Sequence, residues 1–251
     1  MKLSFMTWVC PEWELDEIVE FASESAYDGV ELRVDSGHTH GVSAGASAAD
    51  RAAVVERFEA DDVEIPAIAT SDYLGHSDPN VRAAQILAAK ENVELASDLG
   101  ADVIRLFGKG DRESMTEEAA DDVAAGLTEI GEFARDHDVV PLLETMHDIV
   151  QSPDDGRAVL DRVNTDCAGL VWNQTEISAD AYEKIGEYVE HVHLTTAVRD
   201  PEPIEERALI EALNRDGYDG YLSLRVLHGR DVPRDWLAET GAELKRDIRS
   251  S

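Results

Sequence analysis

Residues 26–32 read Ala-Tyr-Asp-Gly-Val-Glu-Leu, and residues 217–224 read Gly-Tyr-Asp-Gly-Tyr-Leu-Ser-Leu. In both, a Tyr-Asp-Gly turn closes a helical pattern and opens a short apolar run. A weaker relative, Leu99-Gly100-Ala101-Asp102-Val103-Ile104, stands between them. One helix-to-strand junction that recurs along the chain, with no linker or low-complexity break, predicts a repeated βα unit.

Working outward from these junctions gives eight strands and eight helices. The strands are expected at Leu3–Trp8, Gly29–Val34, Glu64–Ser71, Asp102–Phe107, from Val139 to Glu144, Ala168–Asn173, His191–Thr196 and Gly220–Val226. The first helix starts near Glu14, where Leu15, Ile18, Val19 and Ala22 keep a 3.6 period. Ser47 with Asp50 caps a second helix, which runs to about Asp61. Asp78-Pro79 opens a third, which Gly100 stops. Ser114 with Glu117 caps a fourth, to about His137; Ser152-Pro153 starts a fifth, to Val163. The rest begin near Ser178, span Ile204–Asp216 and follow Pro233. Eight βα units on 251 residues predict a single (β/α)8 TIM barrel as one domain, residues 1–251. A doubly wound open sheet would show a glycine-rich phosphate turn after the first strand. Cys10-Pro11-Glu12-Trp13 is nothing like one.

The chain carries 54 Asp and Glu against 22 Lys and Arg, a formal charge of −32. The acid is spread along the whole sequence, so it reads as surface adaptation to concentrated salt, where repulsion is screened over roughly 3 Å. The expectation is a halophile's cytoplasmic protein. No basic cluster offers a face to nucleic acid. Cys10 and Cys167 have neither a disulfide framework nor a zinc spacing. The N-terminal apolar run is too short for a signal peptide, and no membrane span is visible.

Barrel enzymes work at the C-terminal rim, so strand ends supply the candidates: Trp8, His38, Asp72, Arg105, Glu144 with His147, Asn173 with Glu176, His193, and Arg225 with His228. Glu144 ends a buried apolar run, where a carboxylate needs a cation or donors. Arg105, between Ile104 and Leu106, likewise needs an anion. His191 and His193 share one face by period two.

TWVCPEW (7–13), YDGVELR (27–33) with the following Gly37-His38, LGADVIRLFG (99–108), LLETMHD (142–148), HVHL (191–194) and GYDGYLSL (217–224) together resemble the xylose isomerase-like TIM barrels, the sugar-phosphate isomerase/epimerase superfamily. The resemblance implies a divalent cation, often manganese, magnesium, cobalt or zinc, on Glu144 and His193, and an enediol proton shuttle on a carbohydrate. It also implies an aspartate where Asn173 stands and a glutamate where Arg225 stands. Met146, Glu176 and Thr195-Thr196 depart from it too. The family's set offers −3 to a dication; Glu144, Asn173, His193 and Arg225 offer zero. Like charges about 4 Å apart cost on the order of 4 kcal/mol at an effective dielectric near 20, and arginine cannot deprotonate. The expectation is therefore a degenerate metal site in which Arg225 takes the cation's place against Glu144, unless His228, Glu176 or His147 rebuilds it.

The resemblance thus implies an isomerase or epimerase of a small sugar, sugar phosphate or sugar-derived keto acid. Glu144 would be the base, and Arg225, His193 or a rebuilt metal the electrophile. Trp8, His38, Arg105, Lys109, Asn173 and His228 would contact substrate. The alternative is a carbohydrate- or sugar-acid-binding barrel that has lost metal and activity. A DNA repair nuclease of the same barrel would need a zinc cluster and a basic groove, and neither is visible. A homodimer through helical faces is the expected assembly.

Overall fold

The computed structural model describes residues 1–145, 149–174, 182, 184–196, 206–226 and 232–250. Eight parallel strands close into a barrel in chain order: β1 Lys2–Met6, β2 Gly29–Arg33, β3 Ala67–Tyr73, β4 Val103–Phe107, β5 Val140–Glu144, β6 Gly169–Gln174, β7 Val189–Thr196 and β8 Tyr221–Val226. Among the described residues the helices are α1 Leu15–Glu24, α2 Ala48–Ala60, α3 Pro79–Leu99, α4 Glu117–Ala134, α5 Pro153–Leu160, α6 Glu206–Arg215 and α7 Arg234–Ser250. None is long and apolar enough to cross a membrane.

Strand period sorts the side chains into two shells. Ile68, Ile104, Leu106, Leu143, Leu170, Leu194 and Leu222 join the large core under the helices. The alternate positions point inward. Low in the barrel these are Ala67, Val103, Leu142 and Val171, a small apolar cluster of their own. One pleat further along the same strands they become Arg105, Glu144 and Asn173, all buried. The polarity of the site is thus set by one two-residue step along the strands.

The repeated junction does the same work twice. Gly29 stands where a Cβ would lie 2.8 Å from the Glu64 carbonyl oxygen, and Gly220 where one would lie 2.6 Å from the Tyr218 hydroxyl. The Tyr27 hydroxyl reaches across to donate to the Leu237 carbonyl at 2.8 Å. It thereby ties the last helix to the barrel's first turn.

Helix starts follow the expected caps with one change. Ser47 and Asp50 form the capping box of α2, and Asp78 caps α3, whose end is Gly100 at φ 71°. The cap of α4, however, is Thr116, whose side chain accepts from Ala119 N. Ser114 lies two residues too early. Further shifts are small: β3 begins at Ala67, with Glu64 only bridging to Gly29. Trp8 sits in a short 3-10 turn, Thr7–Val9, just past β1. The expected helix start near Ser178 lies outside the described residues.

Candidate functional site at the barrel mouth

The polar layer is organised around His193 on β7. Its Nδ1 lies 2.9 Å from Glu144 Oε1, and its Nε2 lies 3.0 and 3.1 Å from the two oxygens of Glu31. A neutral imidazole has one N–H and one lone pair, and a lone pair facing a carboxylate repels. A carboxylate at each nitrogen favours the imidazolium form of His193. Burial works against that charge, but Glu31 and Glu144 outweigh it and raise the pKa.

Glu31 also accepts from Ser223 Oγ at 2.5 Å and faces His191 Nε2 at 3.2 Å. Burial alone would raise its pKa; His193 and His191 hold it well below the usual carboxylate range. Glu144 accepts from Asn173 Nδ2 at 2.6 Å, and Thr195 Oγ1 donates to Asn173 Oδ1 at 2.6 Å, which fixes the amide's orientation. Two guanidinium groups stand near: Arg105 Nε at 3.6 Å from Oε2 and Arg225 Nη1 at 3.9 Å from Oε1. Against the opposing effect of burial, Arg105, His193 and Arg225 together hold the Glu144 carboxyl well below its ordinary range.

Among the described residues, the hydrogen-bond partners of Glu144 are therefore Asn173 and His193. The expectation that Arg225 pairs with it is met only at ion-pair distance, beyond hydrogen-bond reach, and Arg105 stands closer. Above this layer opens a pocket of about 230 Å³ lined by Met6, Trp8 and Phe107 together with Arg33, Arg105, Lys109 and Arg225. Trp8, Arg105, Lys109 and Arg225 thus share one pocket. Glu144, His193 and Asn173 form the layer beneath. His38 does not line the pocket: it is buried between Trp8, at 6.4 Å between ring centroids, and His40, at 5.4 Å. Asp72 accepts from Asn92 and is likewise away from the lining. His147, Glu176 and His228 lie outside the described residues.

Arg33 and Glu31 were missed in the sequence. Arg33 donates to the Val34 and Ala69 carbonyls at 2.6 and 2.9 Å and to Ser71 Oγ at 2.8 Å. Burial and the nearby Arg105 lower its pKa to about 9, which leaves it charged at neutral pH. Lys109 is placed by a glycine contact. Gly75 N donates to the Lys109 carbonyl at 2.9 Å, and a Cβ on Gly75 would fall 2.2 Å from the Gly108 oxygen.

His40 anchors the loop after β2. Its Nδ1 accepts from Val42 N at 3.1 Å and its Nε2 lies 3.2 Å from the Arg33 carbonyl. Protonating Nδ1 breaks the first bond, and burial lowers the pKa to about 4 even though the carbonyl opposes the shift. The unfolded chain takes up this proton first, so stability falls as pH drops from about 6.5 towards 4, by roughly 2–3 kcal/mol. Denaturant midpoints at pH 7 and pH 4.5 should show that slope shrinking in His40→Gln; an unchanged slope overturns the assignment.

The profile of the xylose isomerase-like TIM barrels matches residues 19–248, and the chain belongs to that family. Among solved structures, 3-keto-D-glucoside 4-epimerase from E. coli superposes with a TM-score of 0.79 at 14% identity, covering 98% of this chain and 99% of that one. An L-ribulose 3-epimerase gives 0.78 at 15%, covering 99% and 92%. A D-psicose 3-epimerase solved in the presence of D-fructose gives 0.75 at 15%, covering 100% and 96%. No curated protein matches at the sequence level.

The family's divalent metal can be tested against these residues. Among the described residues, the groups around Glu144 are a poor donor set: one carboxylate and one amide stand among two guanidinium groups within 4 Å of the carboxylate. Deeper in, Glu31, His191 and His193 bring ligand atoms within 4.8 Å of one another, and such a His/Glu group could hold a metal ion. The same atoms satisfy one another, and Ser223, by direct hydrogen bonds.

Proposed function

We propose that this chain is a sugar isomerase or epimerase-like protein that moves a proton through an enediolate at the barrel mouth. The observation that carries the reading is the anion Glu144, gripped by Asn173 and His193, with two guanidinium groups inside ion-pair range. Glu144 takes the proton from the carbon beside the substrate carbonyl. The C–H electron pair becomes the C=C bond, and the carbonyl oxygen takes the negative charge opposite Arg105 and Arg225. Returning the proton to the neighbouring carbon, while the enediolate's hydroxyl proton passes to the former carbonyl oxygen, isomerises the sugar; returning a proton to the opposite face of the original carbon epimerises it. Glu144 is a weak base while the arginines face it. A substrate oxygen that gains charge draws them away and raises its basicity.

A second reading, a barrel that binds a carbohydrate without turning it over, draws support from the same facts. Glu144 is 1% exposed and its pKa is depressed, and a strongly acidic carboxyl is a poor proton acceptor. Incubation in deuterated water with ketoses and aldoses, at molar salt, with and without manganese, separates the two. Turnover places deuterium on the carbon next to the carbonyl, and Glu144→Gln slows this by roughly 100-fold or more. No label with any sugar leaves only the binding reading.

A further inference from the structure

We infer that the outer face of α3, with the groove it forms against α4, is an interface between two copies of this chain, closed by a twofold axis near Leu87.

Leu87 is the first ground. Among the described residues it is the one large apolar side chain left exposed, at 64%. It borders a groove of about 420 Å³ whose apolar wall includes Ala83, Ile86, Ala125 and Gly126. A projecting leucine and a hollow walled by small residues thus lie side by side on one face. A twofold contact uses the same patch twice, so each Leu87 is set against the other copy's groove. The charged groups at the groove's edge already have partners within the chain: Arg82 with Asp122 and Lys90 with Glu129, each at 2.8 Å. Covering the groove therefore strands neither cation.

The second ground is the distribution of charge along α3. Asn80, Ala83, Ala84, Leu87, Glu91 and Glu94 form its exposed stripe, at the three- and four-residue spacing of one helix face. Residues 79–90 hold two bases, Arg82 and Lys90, and no acid; residues 91–99 hold three acids, Glu91, Glu94 and Asp98, and no base. Among the described helices no other has twelve consecutive positions free of acid, in a chain with 54. Asp98 pairs with Arg51 at 2.7 Å, which leaves Glu91 and Glu94 as the acids of the stripe.

Two copies of α3 packed antiparallel about Leu87 place position 83 opposite 91 and position 80 opposite 94. The acidic half of each helix then meets the acid-free half of the other, beside the positive end of its dipole. Parallel packing would set Glu91 against Glu91. Charge thus selects a second copy and its direction, and apolar burial holds it. The face is about 30 Å long and, with α4 alongside, about 20 Å wide. That footprint, on the order of 600 Å², approaches the roughly 800 Å² per partner of a standard interface, so the expected dimer dissociates in the micromolar range.

Sedimentation velocity of the whole chain in molar potassium chloride, across micromolar concentrations, tests the inference. Wild type should pass from monomer to dimer. Leu87→Asp should weaken the dimer roughly 100-fold or more, because both copies lose the buried leucine. Residue 87 is exposed in the single chain, so the circular dichroism and denaturant midpoint of the monomer should not change. Ala83→Glu sets an acid opposite the second copy's Glu91 and should weaken the dimer roughly tenfold. Adding Glu91→Lys should restore it, a rescue that two positions eight residues apart on one helix cannot supply by themselves. A wild type that stays monomeric throughout leaves the face to a different partner and overturns the inference. So does a dimer that Leu87→Asp leaves intact, or one weakened by Ala83→Glu that Glu91→Lys does not rescue.

Discussion

Glu144→Gln is expected to lower the unfolding free energy by about 3–5 kcal/mol, the range for removing one member of a buried charge pair. Glutamine keeps the shape, so packing changes little. What disappears is a negative charge that Arg105, Arg225 and the Nδ1–H of His193 share, in a layer where Glu144 is 1% exposed and His193 fully buried. The amide also turns an N–H towards groups that only donate. Denaturant unfolding at fixed high salt measures the difference; a loss below about 1 kcal/mol would mean that the arginines and His193 do not depend on this carboxylate. The sign of the pH dependence gives a second check. The Glu144 carboxyl is depressed in the folded chain, so its contribution is complete above the ordinary value of 4.5 and is lost as pH falls towards the folded value. The gap between wild type and variant should therefore narrow in acid. His193, raised in the folded state, contributes fully below its ordinary value of 6.5 and loses that contribution as pH rises through the folded value.

Asn173→Asp combined with Arg225→Glu is expected to strengthen divalent metal binding at Glu144. The two changes take the formal charge of the set Glu144, residue 173, His193 and residue 225 from zero to −3. Each like-charge contact removed is worth on the order of 4 kcal/mol at 4 Å and an effective dielectric near 20. The outer support already exists: Glu31 lies 3.0 Å from His193 Nε2, as a carboxylate does behind a metal-bound imidazole, which frees Nδ1 to ligate once the ring is neutral. Titration with manganese should give one ion per chain in the double variant, with at least roughly 100-fold tighter binding than wild type. Adding Glu144→Gln should abolish it. A stoichiometric manganese ion in wild type that Glu144→Gln releases would show that Arg225 does not block the position.

The barrel was legible because its signal is repeated. Tyr-Asp-Gly junctions and strand periodicity mark the units even where single boundaries slip, as at Thr116 and Ala67. Strand ends also pointed to Arg105, Lys109 and Arg225, which line one pocket. Glu31 and Arg33 escaped because they sit inside a motif read for its turn, between Val30, Leu32 and Val34. The parity rule applied to His191 and His193 would have placed Glu31 and Arg33 on the inner face as well. His38 shows the opposite situation. A histidine in a glycine-rich loop reads as free to reach a ligand, and only tertiary packing behind Trp8 buries it.

The chain of contacts from Glu31 on β2 through His193 on β7 to Glu144 on β5 spans the bore from wall to wall. Beneath it Ala67, Val103, Leu142 and Val171 are packed shut. Among the described residues the mouth pocket therefore has a solid floor and no rear exit. Whatever binds there must depart through the same doorway by which it arrived, so spent product and fresh ligand exclude each other, and product inhibition should take the competitive form.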